Sequence, residues 1–598
     1  MINSDTLQKL VNSDLDRQGF SAEEFFPGMS AYDAAAVSIR KSIVKKWAIK
    51  NNRQADQKAL DKFLAVNETC SKWTLPEHMD SRAEMLLNGF KQTVWDFWHD
   101  KGMPLVDNPL DYFAHGKVGP GANRLARGGD FYTKLFASPL TCSDLSLYRW
   151  YRYYAGRFPE WANAENIRLQ TYGDPHVIQE SRLSFVPKNV SISRCICIEP
   201  TLNTYAQLGF ADILNRRLAN RFGIDLQTQQ LVNRDLARLG SITDNLATID
   251  LSSASDSISL RMLKWALPTD FMRHLEKLRC PKVALPDGRV IDLQMVSTMG
   301  NGYTFPLQTI LFSCVVVTSM RFRGIPLDKS SSASLWGVYG DDIICPREVI
   351  RDVLELLGLL GFVVNDDKSF VEGPFRESCG SDFFLGFDIR GIYVDRLETA
   401  SDFYSAINRL ILFSTKTGIG LENTVSFLLK RVKILPVPPW SNSDSGIRMP
   451  LELAQHFKVK YKAWQGCWSY SLLEAHNPKI WIEHTHIVVP PRHKTREYNL
   501  SGLLITYLQG SIEDCSMGTR GVNPDEPVRY RRKRRTTFAW DGFTHPLEQP
   551  SWLPMRRGAV KHQIAKSELR CQPSSEYYEV DWGRWRTCVI DSFQELMS

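Results

Sequence analysis

The sequence has no uninterrupted apolar run near the roughly eighteen residues that a membrane-spanning helix needs. Its best stretch, Ile310 to Met320, is broken by Ser and Thr. The first residues, Met1-Ile2-Asn3-Ser4-Asp5, lack the basic-then-apolar design of a secretory signal. Cysteine is sparse, with 12 in 598 residues, and the one close pair, Cys195-Ile196-Cys197, is not a C-x-x-C motif. The 12 histidines form no zinc pattern with them; His484 and His486 stand alone. These shortages argue against a membrane protein, a disulfide scaffold and a zinc module, and predict a soluble cytosolic chain with reduced, structural thiols. No Walker-type phosphate loop and no internal repeat is found. Charge is nearly balanced, 73 Lys plus Arg against 66 Asp plus Glu, a net +7. Hydrophobic content of 43% and charged content of 23% exclude disordered and fibrous classes.

What is present is length, for roughly four domain-sized units, and aromatic residues in number: 16 Trp, 20 Tyr and 30 Phe. The small basic excess is concentrated. Between Gly521 and Arg570 lie 11 basic residues against five acidic ones, including Arg529 and the run Arg531-Arg532-Lys533-Arg534-Arg535. Such a cluster suits a polyanion, and equally a solvated tail. Residues 1 to about 110 read as helical. Ala34 to Ile49 combines an apolar stripe with Arg40, Lys41, Lys45, Lys46 and Lys50, a solvated face or an RNA-facing one. The stretch 115–129 reads as a basic Gly-rich loop. From about 180 to 390, β-like runs (Leu183–Val186, Ala247–Ile249, Ser334–Val338, Ile343–Cys345, Phe383–Phe387) alternate with helical ones (Tyr205–Leu218, Ile350–Leu360), a mixed α/β core. Beyond 400 the pattern is helical, then irregular and Pro-rich.

The strongest local motif is Val338-Tyr339-Gly340-Asp341-Asp342-Ile343-Ile344-Cys345. Apolar β-formers flank a Gly-Asp-Asp tip, a hairpin that projects two carboxylates. By itself this is also ordinary turn chemistry. Adjacent carboxylates resist ionising together unless a cation is near. A second acid, Asp250, ends the β-run Ala247-Thr248-Ile249, and Asp256 follows six residues later. A strand-end Asp beside the hairpin would complete a cage for two divalent ions about 3.5–4 Å apart, and hard oxygen ligands suit Mg²⁺ or Mn²⁺. Between them, Ser297-Thr298-Met299-Gly300-Asn301-Gly302-Tyr303-Thr304 reads as a ligand loop or a capped helix start. Upstream, Lys188 and Arg194 flank a polar turn, a triphosphate clamp or solvated hairpin charges. Downstream, Lys368 follows the β-run of Gly361 to Asn365 and is placed to act as a general acid, or is a surface lysine. Asp366 and Asp367 lack an apolar frame and are left out.

In this order the elements resemble the motif series of palm-domain RNA-dependent RNA polymerases. The stretches ATIDLSSASDSIS (247–259), STMGNGYTF (297–305), YGDDIICP (339–346) and GPFRESCG (373–380), with VPKN (186–189) and IEP (198–200), resemble the replicase subunit of leviviruses, the single-stranded RNA bacteriophages. The likeness is strong over about 180–395. It implies an α+β right-hand polymerase with fingers, palm and thumb, an antiparallel palm sheet and largely helical flanks. The implied divisions are 1–130 (N-terminal helical part of the fingers), 131–240 (fingers with the basic NTP loop), 241–395 (palm) and 396–598 (thumb and basic C-terminal region). It implies RNA-directed RNA synthesis by two-metal nucleotidyl transfer with two Mg²⁺ or Mn²⁺ ions held by Asp250, Asp341 and Asp342. Lys188 and Arg194 would grip the incoming NTP, Asp256 and Asn301 with Gly300 would read the ribose, and Lys368 would be the general acid. Arg376 is expected to support the fold. Initiation would be primer-independent, in the infected bacterium's cytoplasm and away from membrane, on template and product RNA, with host elongation factors Tu and Ts and a host ribosomal RNA-binding protein as partners. Arg531, Arg532, Lys533, Arg534 and Arg535 would bind RNA or a host factor. The rivals are a reverse transcriptase, which Asp256 and Asn301 disfavour, and a non-catalytic viral RNA-binding or assembly protein, which leaves the carboxylates without a role.

Overall fold

The computed structural model describes residues 3–541, except 27, 48–51, 190, 328–334 and stretches within 477–498 and 510–528. The basic residues between 556 and 570 lie outside the described residues. The chain forms two compact units, each discontinuous in sequence: 51–386 with 477–526, and 1–50 with 387–476 and 527–598.

The larger unit is built around the helix Thr304–Phe322, sixteen of whose residues are buried. By length and composition alone this helix could cross a membrane, a point the broken apolar run concealed. Instead it packs against the helices Ser81–Trp98 and Thr201–Phe222 inside the core. Each fully buried Leu, Ile, Val or Phe on it contributes roughly 1.5–3 kcal/mol.

Strands β1 (Glu180–Pro187) and β2 (Ser193–Ile198) form an antiparallel hairpin. Strand β3 (Leu246–Ile249) pairs antiparallel with β5 (Asp342–Pro346), which pairs antiparallel with β4 (Gly337–Tyr339), giving the order β4-β5-β3. Both faces of this sheet are covered. Val338, Ile343, Cys345 and Ile249 face the central helix. Leu246 and Ile344 pack with Leu236 and Ala237 of the helix Gln229–Thr243. That double burial is why these strands read as apolar runs and not as alternating ones. Strands β6 (Phe375–Ser378) and β7 (Ser381–Phe384) make a further hairpin beside the same helix.

In the smaller unit, the helix Ser4–Arg17 packs on Glu422–Leu429. The buried Asp14 joins them by accepting from the Asn423 and Thr424 backbone N–H groups (3.2 and 2.9 Å) and the Thr424 hydroxyl (2.6 Å). A three-stranded sheet follows: β8 (Lys460–Lys462), β9 (Cys467–His476) and β10 (Arg529–Thr537), all antiparallel.

The expected elements Tyr205–Leu218, Ile350–Leu360, Leu183–Val186, Ala247–Ile249 and Ile343–Cys345 are present within a few residues of their bounds. Others shift. The helix expected over 34–49 spans Ala31–Ser42 and closes in a turn, with Lys46 set over the Tyr393 ring at 3.6 Å. The strand expected over 383–387 stops at Phe384, because Leu385 and Gly386 take positive φ angles of 51° and 84°. The strand expected to start at 334 begins at Gly337. The 361–365 run forms no named strand, only a bridge between Val364 and Leu251. The sequence leaves the fold after about 440 open; the β8-β9-β10 sheet lies there, and five consecutive basic residues in β10 leave no apolar alternation to read. Nine cysteines are described; none is in a disulfide, and eight are buried.

Candidate active site

The site is set by register. In the β5–β3 pair Ile343 lies opposite Ile249, so one step further Asp342 comes level with Asp250 at the same end of the sheet. The β4–β5 turn has two central residues, Gly340 and Asp341, with Tyr339 paired to Asp342. Gly340 has φ +63°, and a Cβ there would meet the Phe305 ring at 2.4 Å. Glycine is required on both counts, since left-handed backbone suits a residue without Cβ. The Gly340 N–H donates to the Thr309 hydroxyl on the central helix (3.0 Å), and Asn233 Nδ2 donates to the Asp342 carbonyl (3.2 Å). The carboxylate hairpin is thus tied to helices on both sides of its sheet.

Electrostatics draw six expected residues into one neighbourhood. The Asp341 carboxyl is pushed above the usual carboxylate range, first by burial and then by Asp250, with Lys368 and Arg194 opposing. Asp342 is pushed up to about 6, chiefly by burial, with Asp341 and Asp250 adding to it and the Cys379 backbone N–H opposing. Lys188, on the exposed β1–β2 turn, is held below the ordinary lysine range. Desolvation of its ammonium is the main cause, followed by Arg194 and Lys368; Asp250 and Asp341 oppose. Lys368 Nζ lies 4.0 Å from Asp250 Oδ2 and 3.7 Å from Glu377 Oε1. Asn365 Nδ2 donates to Asp250 Oδ2 (2.7 Å). Asp366 and Asp367 are exposed in a short 3₁₀ turn and stay outside this group.

Asp250, Asp341 and Asp342 are therefore mutually repelling carboxylates at one sheet end. Among the described residues no three His, Cys, Asp or Glu side chains are drawn close enough to enclose an ion as they stand. The chemistry of the donors still fits a divalent cation: all are hard oxygens, and the raised pKa values of Asp341 and Asp342 are ones that a positive charge would reverse.

Asp256 meets the loop that carries Asn301 through the Met299 backbone. Asp256 is pushed up to about 6 by burial, opposed by the Met299 backbone N–H. Its Oδ1 is buried without a hydrogen-bond partner. Asn301 Oδ1 accepts from the Tyr303 N–H (3.2 Å), which pins the loop ahead of the central helix. Gly300 has φ +124°, and a Cβ there would meet the Cys197 carbonyl at 2.2 Å, so the loop runs tight against β2. The Cys197 N–H donates to the Met299 carbonyl (2.7 Å).

Three supporting residues escaped the sequence reading. Gln207, fully buried, donates to Glu199 Oε2 (3.0 Å) and the Leu278 carbonyl (2.8 Å) and accepts from the Gly302 N–H (3.0 Å). Nothing in the local sequence sets this glutamine apart from the other polar residues of its helix. Thr309 and Cys379 brace Gly340 and Asp342, and their contacts are long-range. Arg376 is fully buried. It donates to the Leu246, Gly373, Phe375 and Val371 carbonyls and to Asp244 Oδ1, so it fastens the β6 hairpin to the start of β3.

The model of the RNA replicase, beta-chain family matches residues 39–444. The chain belongs to that family. The replicase chain is 42% identical over 252 residues to the RNA-directed RNA polymerase subunit beta of Escherichia virus Qbeta, covering 42% of this chain and 41% of that one. It is 44% identical over 211 residues to the RNA-directed RNA polymerase beta chain of Escherichia phage MS2, covering 35% and 37%. With the corresponding beta chain of Enterobacteria phage GA it is 40% identical over 443 residues, covering 71% and 66%. The matches thus span less than half the length of the Qbeta and MS2 relatives. Among solved structures, the RNA-dependent RNA polymerase of a human picorbirnavirus aligns with a TM-score of 0.42 at 11% identity, over 71% of this chain and 82% of that one.

Proposed function

We propose that this replicase chain is an RNA-directed RNA polymerase that copies a phage RNA genome. The observation that carries the reading is the gathering of Asp250, Asp341, Asp342, Lys188, Arg194 and Lys368 around one end of an antiparallel sheet. Three carboxylates beside three cations suit a triphosphate and divalent ions together.

In the reaction, a nascent-strand 3′-hydroxyl gives up its proton to solvent as its oxygen bonds to the α-phosphorus of an NTP paired with template. The α–β phosphoanhydride bond breaks and pyrophosphate leaves. Lys188 and Arg194 hold the triphosphate and offset its charge. Lys368 delivers a proton to the departing pyrophosphate. Asp256, with a buried acceptor oxygen unpartnered, and Asn301 receive the ribose hydroxyls, with Gly300 letting the loop approach. Asp250, Asp341 and Asp342 would hold Mg²⁺ or Mn²⁺, expected as a pair, supplying positive charge to the attacking and leaving oxygens. Template pairing selects the base, so the protein grips backbone and shape.

The same reading assigns the fingers to 131–240 with helices from 1–130, the palm to 241–395 and the thumb to 396–598. The names of the relatives, subunit beta and beta chain, support a multi-subunit enzyme. Host elongation factors Tu and Ts and a ribosomal RNA-binding protein are its proposed partners in the bacterial cytoplasm, with initiation that needs no primer.

The test is nucleotide incorporation by the chain assembled with bacterial host factors on template RNA, with Mg²⁺ and NTPs. Asp341→Asn and Asp250→Asn are each expected to abolish product. Unchanged metal-dependent incorporation in both would sink the assignment. Equal use of dNTPs would favour a reverse transcriptase.

A further inference from the structure

Strand β10 carries Arg531, Arg532, Lys533, Arg534 and Arg535 in succession, and all five are exposed. It is the edge strand of the β8-β9-β10 sheet. Register divides the five between two faces. Arg531, Lys533 and Arg535 pair with Glu474, Leu472 and Tyr470, and so share a face with Trp468 and, through it, Tyr461. Residues two apart on a strand are about 6.7 Å apart, a spacing comparable with that of successive phosphates in an extended single strand. At the other end of that face Tyr461 is 54% exposed and packs on Trp468 with ring centroids 4.9 Å apart. The β8–β9 turn adds Trp464, 83% exposed and the most open large apolar side chain described. Lys458, just before β8, is exposed, and so is Lys460, which register places on the other face. Between the aromatic and basic ends, Trp540 covers Tyr470.

Charge alone has a plain structural use: basic residues on an edge strand discourage another strand from pairing there. That use does not explain Trp464 and Tyr461, whose exposure is unfavourable without a partner. Open aromatic rings beside a regularly spaced row of cations suit single-stranded nucleic acid, where bases stack on the rings and phosphates meet the cations.

We propose that this face of the β8-β9-β10 sheet is a binding platform for single-stranded RNA, separate from the catalytic carboxylates. It rests on the polymerase reading only for the choice of RNA over DNA. Glu474 tempers it. Its carboxylate pairs with Lys533 Nζ (3.1 Å) and Arg535 (2.8 Å), and so withholds two of the three cations of the face from a phosphate.

The test uses the full-length chain, a fluorescent oligouridylate and a duplex RNA control, with EDTA and without NTPs so that catalysis plays no part. Tyr461→Ala with Trp464→Ala should weaken oligouridylate binding about tenfold at unchanged salt dependence. Arg531→Gln, Lys533→Gln and Arg535→Gln together should weaken it and flatten the slope of log affinity against log salt, by about 0.7 with Glu474 in place and by about 2 in a Glu474→Gln background. Glu474→Gln should tighten binding several-fold, which a role in edge protection alone does not predict. The loss caused by Tyr461→Ala with Trp464→Ala should be the same fold-change in wild-type and Asp341→Asn backgrounds, so failure of the catalytic reading is seen separately. Because Tyr461 and Trp464 are exposed, thermal melting should not move. Unchanged affinity in both loss variants overturns the proposal, as does loss of a bacterial host protein with RNA affinity intact.

Discussion

The Gly340→Ala substitution tests whether the carboxylate hairpin is held by steric fit. Gly340 sits at φ +63°, and an added Cβ lands 2.4 Å from the Phe305 ring. Left-handed backbone costs an alanine about 1–2 kcal/mol. Relieving the overlap costs about 1–3 kcal/mol more, as overpacking does elsewhere. The strain can be relieved in two ways. If Phe305 moves, its edge-to-face contact with Tyr339 at 4.8 Å is lost, worth about 0.5–1.5 kcal/mol. If the turn moves, Asp341 and Asp342 move with it, and a displacement of about 1 Å costs roughly a hundredfold in rate. The turn is held by the Gly340–Thr309 and Asn233–Asp342 hydrogen bonds, but moving Phe305 relieves only the overlap, whereas moving the turn relieves the left-handed backbone strain as well. The turn should therefore yield. Single-nucleotide incorporation by the assembled enzyme should fall about a hundredfold, with only a small change in melting temperature. Adding Phe305→Ala should remove the overlap but not the backbone strain, and restore at least tenfold. A near-normal rate for Gly340→Ala, or no restoration in the double variant when Phe305→Ala alone is active, would refute the steric account.

Two further outcomes follow from the same contacts. Asp256 is pushed from 3.8 up to about 6 by burial, so its charged form is disfavoured in the folded chain. Asp256→Asn should raise the melting temperature at pH 8, by on the order of 2 kcal/mol of stability. That gain should be complete above about pH 6, shrink as pH falls from 6, and be lost below about 3.8, where both folded and unfolded wild-type chains carry the neutral acid; an equal gain at pH 8 and pH 5 would contradict it. Arg376→Met should leave four backbone carbonyls and Asp244 without their buried donor and destabilise by about 3–5 kcal/mol, read as early thermal melting, with Arg376→Lys intermediate because an ammonium cannot reach all five acceptors.

Local signals carried far here where local chemistry is what matters. A two-residue turn that needs Gly at its first central position, between apolar strands, was legible as a carboxylate hairpin, and it forms between Tyr339 and Asp342. Burial of both sheet faces wrote Ala247-Thr248-Ile249 and Ile343-Ile344-Cys345 as apolar runs. Where local pattern is weak, reading failed. The turn at Leu385-Gly386 is set by backbone angles that Leu does not announce. Strand β10 has no apolar alternation, because both of its faces are exposed and basic.

The sequence by itself determined the inventory: which carboxylates, which basic residues and which glycines were available, and in what order along the chain. Order and residue type are what the family motifs record. Only the tertiary structure decided what stands beside what. Antiparallel pairing brings Asp250 level with Asp342 from 92 positions away, and a hairpin returns Cys379 to the Asp342 carboxylate. It also decided what a residue is free to do. Glu199, the acid of an exposed-looking IEP motif, is buried and held by Gln207, whereas Trp464, a typical core residue by type, faces solvent. Residue type sets a side chain's intrinsic preferences, but burial and neighbouring charge set its energy, and those depend on contacts between residues far apart in the chain.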